Sequence, residues 1–262
     1  ITGGEPLVKK NIVSICRRAA QVEGIKDLAI TTNGVLLPEL GKDLKEAGVR
    51  RLNISLDTLD EAKYAYITRI GTLEQAMAGI ETAIELGFEK VKLNAVLIGG
   101  FNDDEIKPLA ELTKKYPVDM RFIEMMPIGL GKQFDFCSED EILQGLKERF
   151  GEYVPYEKKL GNGPGHYYSF DGFQGKIGFI SAISHKFCDS CNRVRLTAQG
   201  YLKTCLQYDI GVDLKKLLRE DAGEEALIDA INEAIYKKPV GHQFGSEVKE
   251  HGEAHMMAQI GG

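Results

Sequence analysis

Along the first half of the chain, apolar residues recur with two alternating periods. Over residues 11–23, Ile12, Ile15, Cys16, Ala19 and Val22 fall three or four apart and share one helical face, which stops at Gly24. Residues 28–32 then form a short strand-like run that ends at Asn33-Gly34. The alternation continues with a helix over 36–47 before Gly48, a strand over 51–56, and a helix over 73–86 before Gly87. It ends with a strand over 91–98, a helix over 105–115 led by Asp103-Asp104, and a strand over 120–125. Connections this short and glycine-terminated are those of βα units. Thr2-Gly3-Gly4-Glu5 reads as the tip of a further strand, one that would lie before Gly3. Five strands with helical crossovers predict a parallel sheet with right-handed connections. A closed eight-stranded barrel takes ~250 residues. Roughly half that length supports an incomplete barrel or a doubly wound sheet. In either architecture ligands gather at the carboxyl ends of the strands. The polar tips Gly3-Gly4-Glu5, Thr31-Thr32-Asn33-Gly34, Ser55-Leu56-Asp57 and Glu124-Met125-Met126-Pro127 fit that rule.

From Gly129 the texture changes. Ser138-Glu139-Asp140-Glu141 is a capping box that leads a helix to Phe150. Strand-like pieces follow over 153–156, 166–170 and 176–183, with a glycine-rich stretch over 161–165 between them. A hairpin is predicted for 193–197 and 201–204 about Gly200, then helices over 213–220 and 224–237 and a polar tail. The expected organisation is a partial barrel over residues 1–128 and a smaller α+β domain over 129–262.

Composition narrows the setting. With 262 residues, 43% hydrophobic content and a formal charge of −6, the chain reads as a soluble globular protein. Nothing in that balance points to nucleic acid or a membrane as partner. The longest apolar runs are far too short to span a bilayer, and no signal-like segment is present. A cytoplasmic protein is expected. Five cysteines argue against a closed disulfide framework. Cys16 and Cys137 stand apart, whereas Cys188, Cys191 and Cys205 cluster as Cys-x2-Cys-x13-Cys, a metal-type spacing in a reducing compartment.

Spacing alone leaves two readings of that cluster open. With His185 it would make a Cys3His zinc site. Alternatively, three cysteines hold an iron–sulfur cluster and leave one iron open to a substrate, against the usual four-cysteine ligation. Arg193 and Arg195 follow with alternate spacing, so on a strand both face one way. Two guanidiniums beside a metal make an anion site suited to phosphate. Lys92 is a second pointer to an anion, because it interrupts an apolar strand.

These motifs carry a resemblance. Gly3-Gly4-Glu5-Pro6 is similar to the S-adenosylmethionine motif of radical SAM enzymes. The stretch Cys188-x2-Cys191-Asn192-Arg193-x-Arg195-Leu196-Thr197…Cys205 is narrower. Together with TTNG, LNISLDTL, KLNAVLI, RFIEMMP and the terminal Gly-Gly, it resembles the molybdenum-cofactor biosynthesis protein A family, the GTP 3′,8-cyclases. The resemblance covers essentially the whole chain. It implies a radical enzyme that converts GTP to (8S)-3′,8-cyclo-7,8-dihydroguanosine 5′-triphosphate on a partial TIM-type barrel truncated at its N-terminus. It implies a [4Fe–4S] cluster on Cys188, Cys191 and Cys205. S-adenosylmethionine contacts fall on Gly4, Ser55 and Met126, and GTP contacts on Thr31, Lys92, Arg193, Val194 and Arg195. Lys92, Arg193 and Arg195 are the residues expected to act in catalysis, with Arg121 given less weight. The implied partners are GTP, S-adenosylmethionine, an electron donor and the next enzyme of the pathway, with a homodimer admitted but not required.

The family's first cluster sits on a Cys-x3-Cys-x2-Cys motif, which this sequence lacks. The expectation is therefore of a sequence cut just before Gly3, inactive by itself, with that N-terminal cluster present only in a full-length protein alongside the one on Cys188, Cys191 and Cys205. The terminal Gly261-Gly262 is expected to reach the active site. His251 and His255 read as a polar tail face, and Cys137 as a packed or idle thiol. Two other readings stay open: a radical SAM peptide-maturase with an auxiliary cluster, and a zinc-stabilised binding module.

Overall fold

The computed structural model describes residues 1–158 and 160–244. The alternating apolar periods become four βα repeats. They comprise β1 (Ala29–Thr32), α2 (Leu37–Glu46), β2 (Arg51–Ser55), α3 (Glu61–Thr68), α4 (Leu73–Glu85), β3 (Lys90–Leu97), α5 (Ile106–Lys115) and β4 (Asp119–Glu124), preceded by α1 (Ile12–Ala20). The second half adds α6 (Glu139–Phe150), β5 (Tyr153–Pro155), β6 (His166–Phe170) and β7 (Ile177–Ile180). One seven-stranded sheet runs β1-β2-β3-β4-β7-β6-β5. Strands β1 to β4 and β7 pair in parallel, while β5 and β6 close the far edge antiparallel. This mostly parallel sheet is the incomplete barrel expected from the repeats, and it continues through β7 into the second half.

Ile1 marks the strand expected before Gly3. Its amino group donates to the Ala29 carbonyl at 2.7 Å, and the Thr31 amide donates to the Ile1 carbonyl at 2.9 Å. Those two bonds form a parallel bridge outside β1. The core is made by the apolar positions the periods identify: Ile54, Leu93, Met120, Phe122, Ile177 and Phe179 are all at most 1% exposed. Phe122 and Phe179 meet across β4 and β7 with ring centroids 6.0 Å apart.

The capping box expected at Ser138 closes, and the structure adds a second one at Thr72. In α6, Ser138 and Glu141 satisfy each other's backbone amides, and Thr72 and Gln75 do the same for α4. Helix α3 is an element the periodicity does not reveal. It buries Tyr64 alone and is started by Asp60, whose side chain accepts from the Lys63 amide at 2.8 Å.

A tight backbone approach in the barrel wall lies between α4 and the turn after β1. A Cβ on Gly79 would meet the Gly34 carbonyl oxygen at 2.1 Å, and Gly34 itself has φ +82°. Backbone cannot retreat as a flexible side chain can, so Gly79→Ala must push α4 off the sheet. It is expected to destabilise the protein by about 1–3 kcal/mol in urea unfolding. An unchanged midpoint would show that α4 shifts without cost.

A separate three-stranded sheet carries the cysteine hairpin. Strands β8 (Arg195–Leu196) and β9 (Tyr201–Lys203) turn at Gly200 as expected, and a third strand, β10 (Gly211–Asp213), pairs with β9. Helices α7 (Leu214–Arg219) and α8 (Gly223–Tyr236) follow, and the chain then returns toward the cysteines over residues 238–244. Among the described residues no helix is long and apolar enough to cross a membrane.

Candidate functional site

Parallel register places a row of polar side chains across the first four strands. Thr31 lies opposite Asn53, Asn53 opposite Lys92, and Asn94 opposite Arg121. All of them but Lys92 form a hydrogen-bonded chain. The Asn53 amide donates to the Thr31 hydroxyl oxygen at 3.1 Å and accepts from an Arg121 Nη at 2.9 Å, and Arg121 Nε donates to Asn94 Oδ1 at 2.8 Å. Each bond fixes an orientation. The Arg121 fork is held by two amides, and the Tyr167 hydroxyl also lies against it.

Four cations surround the cavity above this row. Arg51, Lys92, Arg121 and Arg193 line a space of about 270 Å³, with Asn53 and Tyr167 in the same wall. Arg51 is held by Asp27, its Nε donating to Oδ1 at 2.8 Å. Among the described residues no carboxylate forms an ion pair with Lys92, Arg121 or Arg193. Lys92 is 2% exposed and donates to Tyr167 Oη at 3.0 Å and to the Leu160 carbonyl. Burial, then the charges of Arg121 and Arg51, pulls the Lys92 ammonium down to about 7. Burial, with Arg195 beside it, pulls Arg193 down to about 10, and burial also lowers Arg121 and Arg195. Desolvated like charges held this close are stabilised by a polyanion.

The cysteine limb is tied to the sheet by two buried carboxylates. Glu124, at the end of β4, accepts from the amides of Ile183 and Ser184 at 2.7 and 3.0 Å and from the Ser184 hydroxyl. Glu139, the first residue of α6, accepts from Ser181 and pairs with His166. The strap over 181–185 is thereby fixed just before Cys188. Cys188, Cys191 and Cys205 line one cavity of about 90 Å³ together with Met126, Arg193 and Arg195. Arg193 therefore borders both cavities.

The donor set of this second cavity fits an anionic sulfur-rich group. Lys238 Nζ lies 3.4 Å from Cys191 Sγ, and the His242 backbone amide donates to Cys188 Sγ at 3.4 Å. Burial raises the Cys191 thiol, but the Arg193 amide and the Lys238 ammonium outweigh it, and the net shift is downward. A lowered thiol is the ligating kind. Both ring nitrogens of His242 are buried in the same wall with no hydrogen-bond partner. Among the described residues, no three ligating side chains converge closely enough to hold a single ion.

His185 does not line the cysteine cavity. Its ring faces Glu139 at 3.6 Å and Asp140 at 3.8 Å. The histidine that the fold brings to the cysteines is His242, which has no local spacing to them in sequence. Thr31 joins the polar row, and Met126 lies in the cysteine cavity. Val194 is 43% exposed. Gly4 and Ser55 sit at their strand tips, and a Cβ on Gly4 would meet nothing within 4 Å. Glu5 has a structural task that its motif alone does not disclose: its carboxylate accepts from Leu7 and Asn33 amides and from the Thr32 hydroxyl, locking the turn after β1. Cys16 is buried in the core and Cys137 packs against it. Residues 251, 255, 261 and 262 lie outside the described residues.

Residues 1–113 match the radical SAM superfamily model, and residues 118–244 match that of Molybdenum Cofactor Synthesis C. A GTP 3′,8-cyclase of Clostridium perfringens (strain SM101 / Type A) is 43% identical over 262 residues, which is 100% of this chain and 80% of that protein. The enzyme of the same name from Pelotomaculum thermopropionicum is 44% identical over 265 residues, covering 100% of this chain and 81% of its own. A third, from Thermodesulfovibrio yellowstonii, is 45% identical over 243 residues, with 92% and 75% covered. Among solved structures, a domain of a pyruvate-formate lyase-activating enzyme from Bacteroides vulgatus covers 56% of this chain and 88% of its own, at 22% identity and TM-score 0.45. With two family models covering residues 1–113 and 118–244 and relatives this similar over its whole length, the chain belongs to the GTP 3′,8-cyclase family, the radical SAM enzymes of molybdenum-cofactor biosynthesis.

Proposed function

We propose that the two adjoining cavities are one substrate site, in which Cys188, Cys191 and Cys205 hold a [4Fe–4S] cluster and the cation pocket takes the triphosphate of GTP. The observation that carries this reading is the pocket itself: Lys92, Arg121 and Arg193 are desolvated cations that form no ion pair among the described residues, beside a cavity of three thiols. A triphosphate supplies the missing negative charge. When bound, the cluster would supply an open iron as Lewis acid, and S-adenosylmethionine, given one electron by a cluster for which this sequence has no Cys-x3-Cys-x2-Cys motif, would supply the radical that abstracts hydrogen.

The chain's own residues then have distinct tasks. Arg121, braced by Asn53 and Asn94, and Lys92 bind and orient phosphate oxygens, while Arg193 holds the substrate where the two cavities meet. Arg195 lies on the cysteine side and balances the negative charge of the thiolates. Thr31 receives a donor from Asn53, so its own hydroxyl hydrogen points toward the substrate. Gly4, Ser55 and Met126 form the S-adenosylmethionine side, with Met126 reaching the cysteine cavity. Val194 contributes backbone, since its side chain faces solvent. The division near residue 128 is functional in this reading, with the radical-generating half before it and the cluster and substrate limb after it. An electron donor and the next enzyme of the pathway are the partners this chemistry requires.

Anaerobic reconstitution with iron and sulfide tests the reading. About four irons per chain with a broad brown absorbance is the expected result. A colourless protein that binds a single zinc would replace the cluster with a structural metal site.

A further inference from the structure

The least satisfied polar group of the second cavity is the His242 ring. Its Nδ1 and Nε2 are both buried without a hydrogen-bond partner, the only histidine nitrogens so placed among the described residues. Buried polar atoms in a folded protein are nearly always paired, so an orphaned ring points to an absent partner. The surroundings say where that partner lies. His242 lines the cavity of Cys188, Cys191 and Cys205. Its own backbone amide already donates to Cys188 Sγ at 3.4 Å. The Phe244 ring lies 4.2 Å from the His242 ring at an interplanar angle of 32° and fixes its orientation. The Gln243 amide donates to Gln207, anchoring the segment to the loop after Cys205. On the other side a Cβ at Gly241 would touch Cys188 Cβ at 3.4 Å. The segment 241–244 is thus clamped across both limbs of the cysteine site, with the imidazole between them.

In either protonation state the imidazole carries at least one N–H donor, and its ring nitrogens make no hydrogen bond within the described protein. The remaining walls offer cationic donors, Arg195 and Lys238, and no carboxylate acceptor. Thr204 and Gln207, the uncharged polar side chains of this wall, are already engaged by the Ile210 carbonyl and the Gln243 amide, so sulfur is the acceptor that a bound cluster would bring to the ring.

We infer that His242 is a positioning residue that donates a hydrogen bond to the sulfur of the cysteine-held cluster and raises its reduction potential. The inference rests on the reading of Cys188, Cys191 and Cys205 as cluster ligands. A donor to sulfur favours the reduced cluster, which carries one more negative charge, so losing it lowers the potential.

The test uses the anaerobically reconstituted chain and two variants, His242→Phe and His242→Gln. Iron and sulfide per chain and the midpoint potential from an EPR-monitored redox titration are measured for each. The expected result is equal iron in all three, a more negative potential for His242→Phe, and a His242→Gln value between it and wild type, because glutamine restores an N–H. Equal potentials at equal iron would overturn the inference. Loss of iron from both variants would overturn it too, by making the histidine a ligand or a packing element. A wild-type chain that takes up no iron would sink the reading of the site itself, and this inference with it.

Discussion

Cys205→Ala is expected to reduce reconstituted iron from about four per chain to well under one. The reason is positional. Cys188 and Cys191 stand on one short turn, the Cys191 amide donating back to the Cys188 carbonyl at 3.0 Å, while Cys205 arrives from the end of β9. Two thiols from one turn cannot close a cubane, and the third must come from the hairpin. Cys137→Ala is the matched control, since Cys137 packs against the hydrophobic core and lines neither cavity. It should leave iron content and circular dichroism unchanged. Full iron in Cys205→Ala would remove that cysteine from the ligand set.

Substitutions of Lys92 should change both the strength and the pH dependence of GTP binding. Lys92 stands at about 7 in the folded chain, far below an ordinary lysine, with burial as the first cause. The groups facing it are Arg121 and Asp119 on β4, Arg51 on β2, Lys90 on its own strand and Tyr167 on β6. A triphosphate binds the protonated ammonium and must restore the proton where the free protein lacks it. Above pH 7 binding is therefore coupled to proton uptake, and affinity falls by up to tenfold per pH unit until the bound-state value is reached. The nucleotide's own phosphate titrates near pH 6, below this window. Lys92→Arg keeps the charge at every pH and should flatten the profile between pH 7 and 9. Lys92→Met should weaken GTP at pH 7 by roughly thirtyfold or more, ~2 kcal/mol, as for a desolvated charge that loses its partner. Stability follows the opposite course. The unfolded chain binds more protons than the folded one between the lowered value and an ordinary lysine's, so the nucleotide-free protein gains stability as pH rises through that window. Lys92→Met removes that slope. Calorimetric titration and urea unfolding across pH check the two signs separately. A parallel pH profile for Lys92→Arg and wild type would exclude Lys92 from the phosphate contacts.

The parallel sheet was legible because each strand is an apolar run closed by glycine or a polar tip, and the Ser138 capping box announces where α6 starts. Helix α3 was not, since with Tyr64 alone buried it has no apolar stripe to read. Within the site, Lys92 stood out by interrupting a buried strand, and the cysteine–arginine stretch by its spacing. Arg121, read as a strand-start residue, shows nothing in sequence of the network that holds it. Its partners Asn53 and Asn94 lie on neighbouring strands, and only register brings them together. His242 was invisible for the same kind of reason. It reaches Cys188 across two helices and a return of the chain, a juxtaposition that no local spacing encodes. His185 lies three residues from Cys188, yet Glu139 and Asp140 draw it away.

A calorimetric titration of the iron-loaded chain with GTP and, separately, with guanosine bears most directly on the joined site. Saturable binding of one GTP per chain, at least tenfold tighter than guanosine, ~1.4 kcal/mol, is the predicted result, because the cation pocket sees only the triphosphate. An iron-loaded chain that binds GTP no tighter than guanosine, or binds neither, would contradict the account.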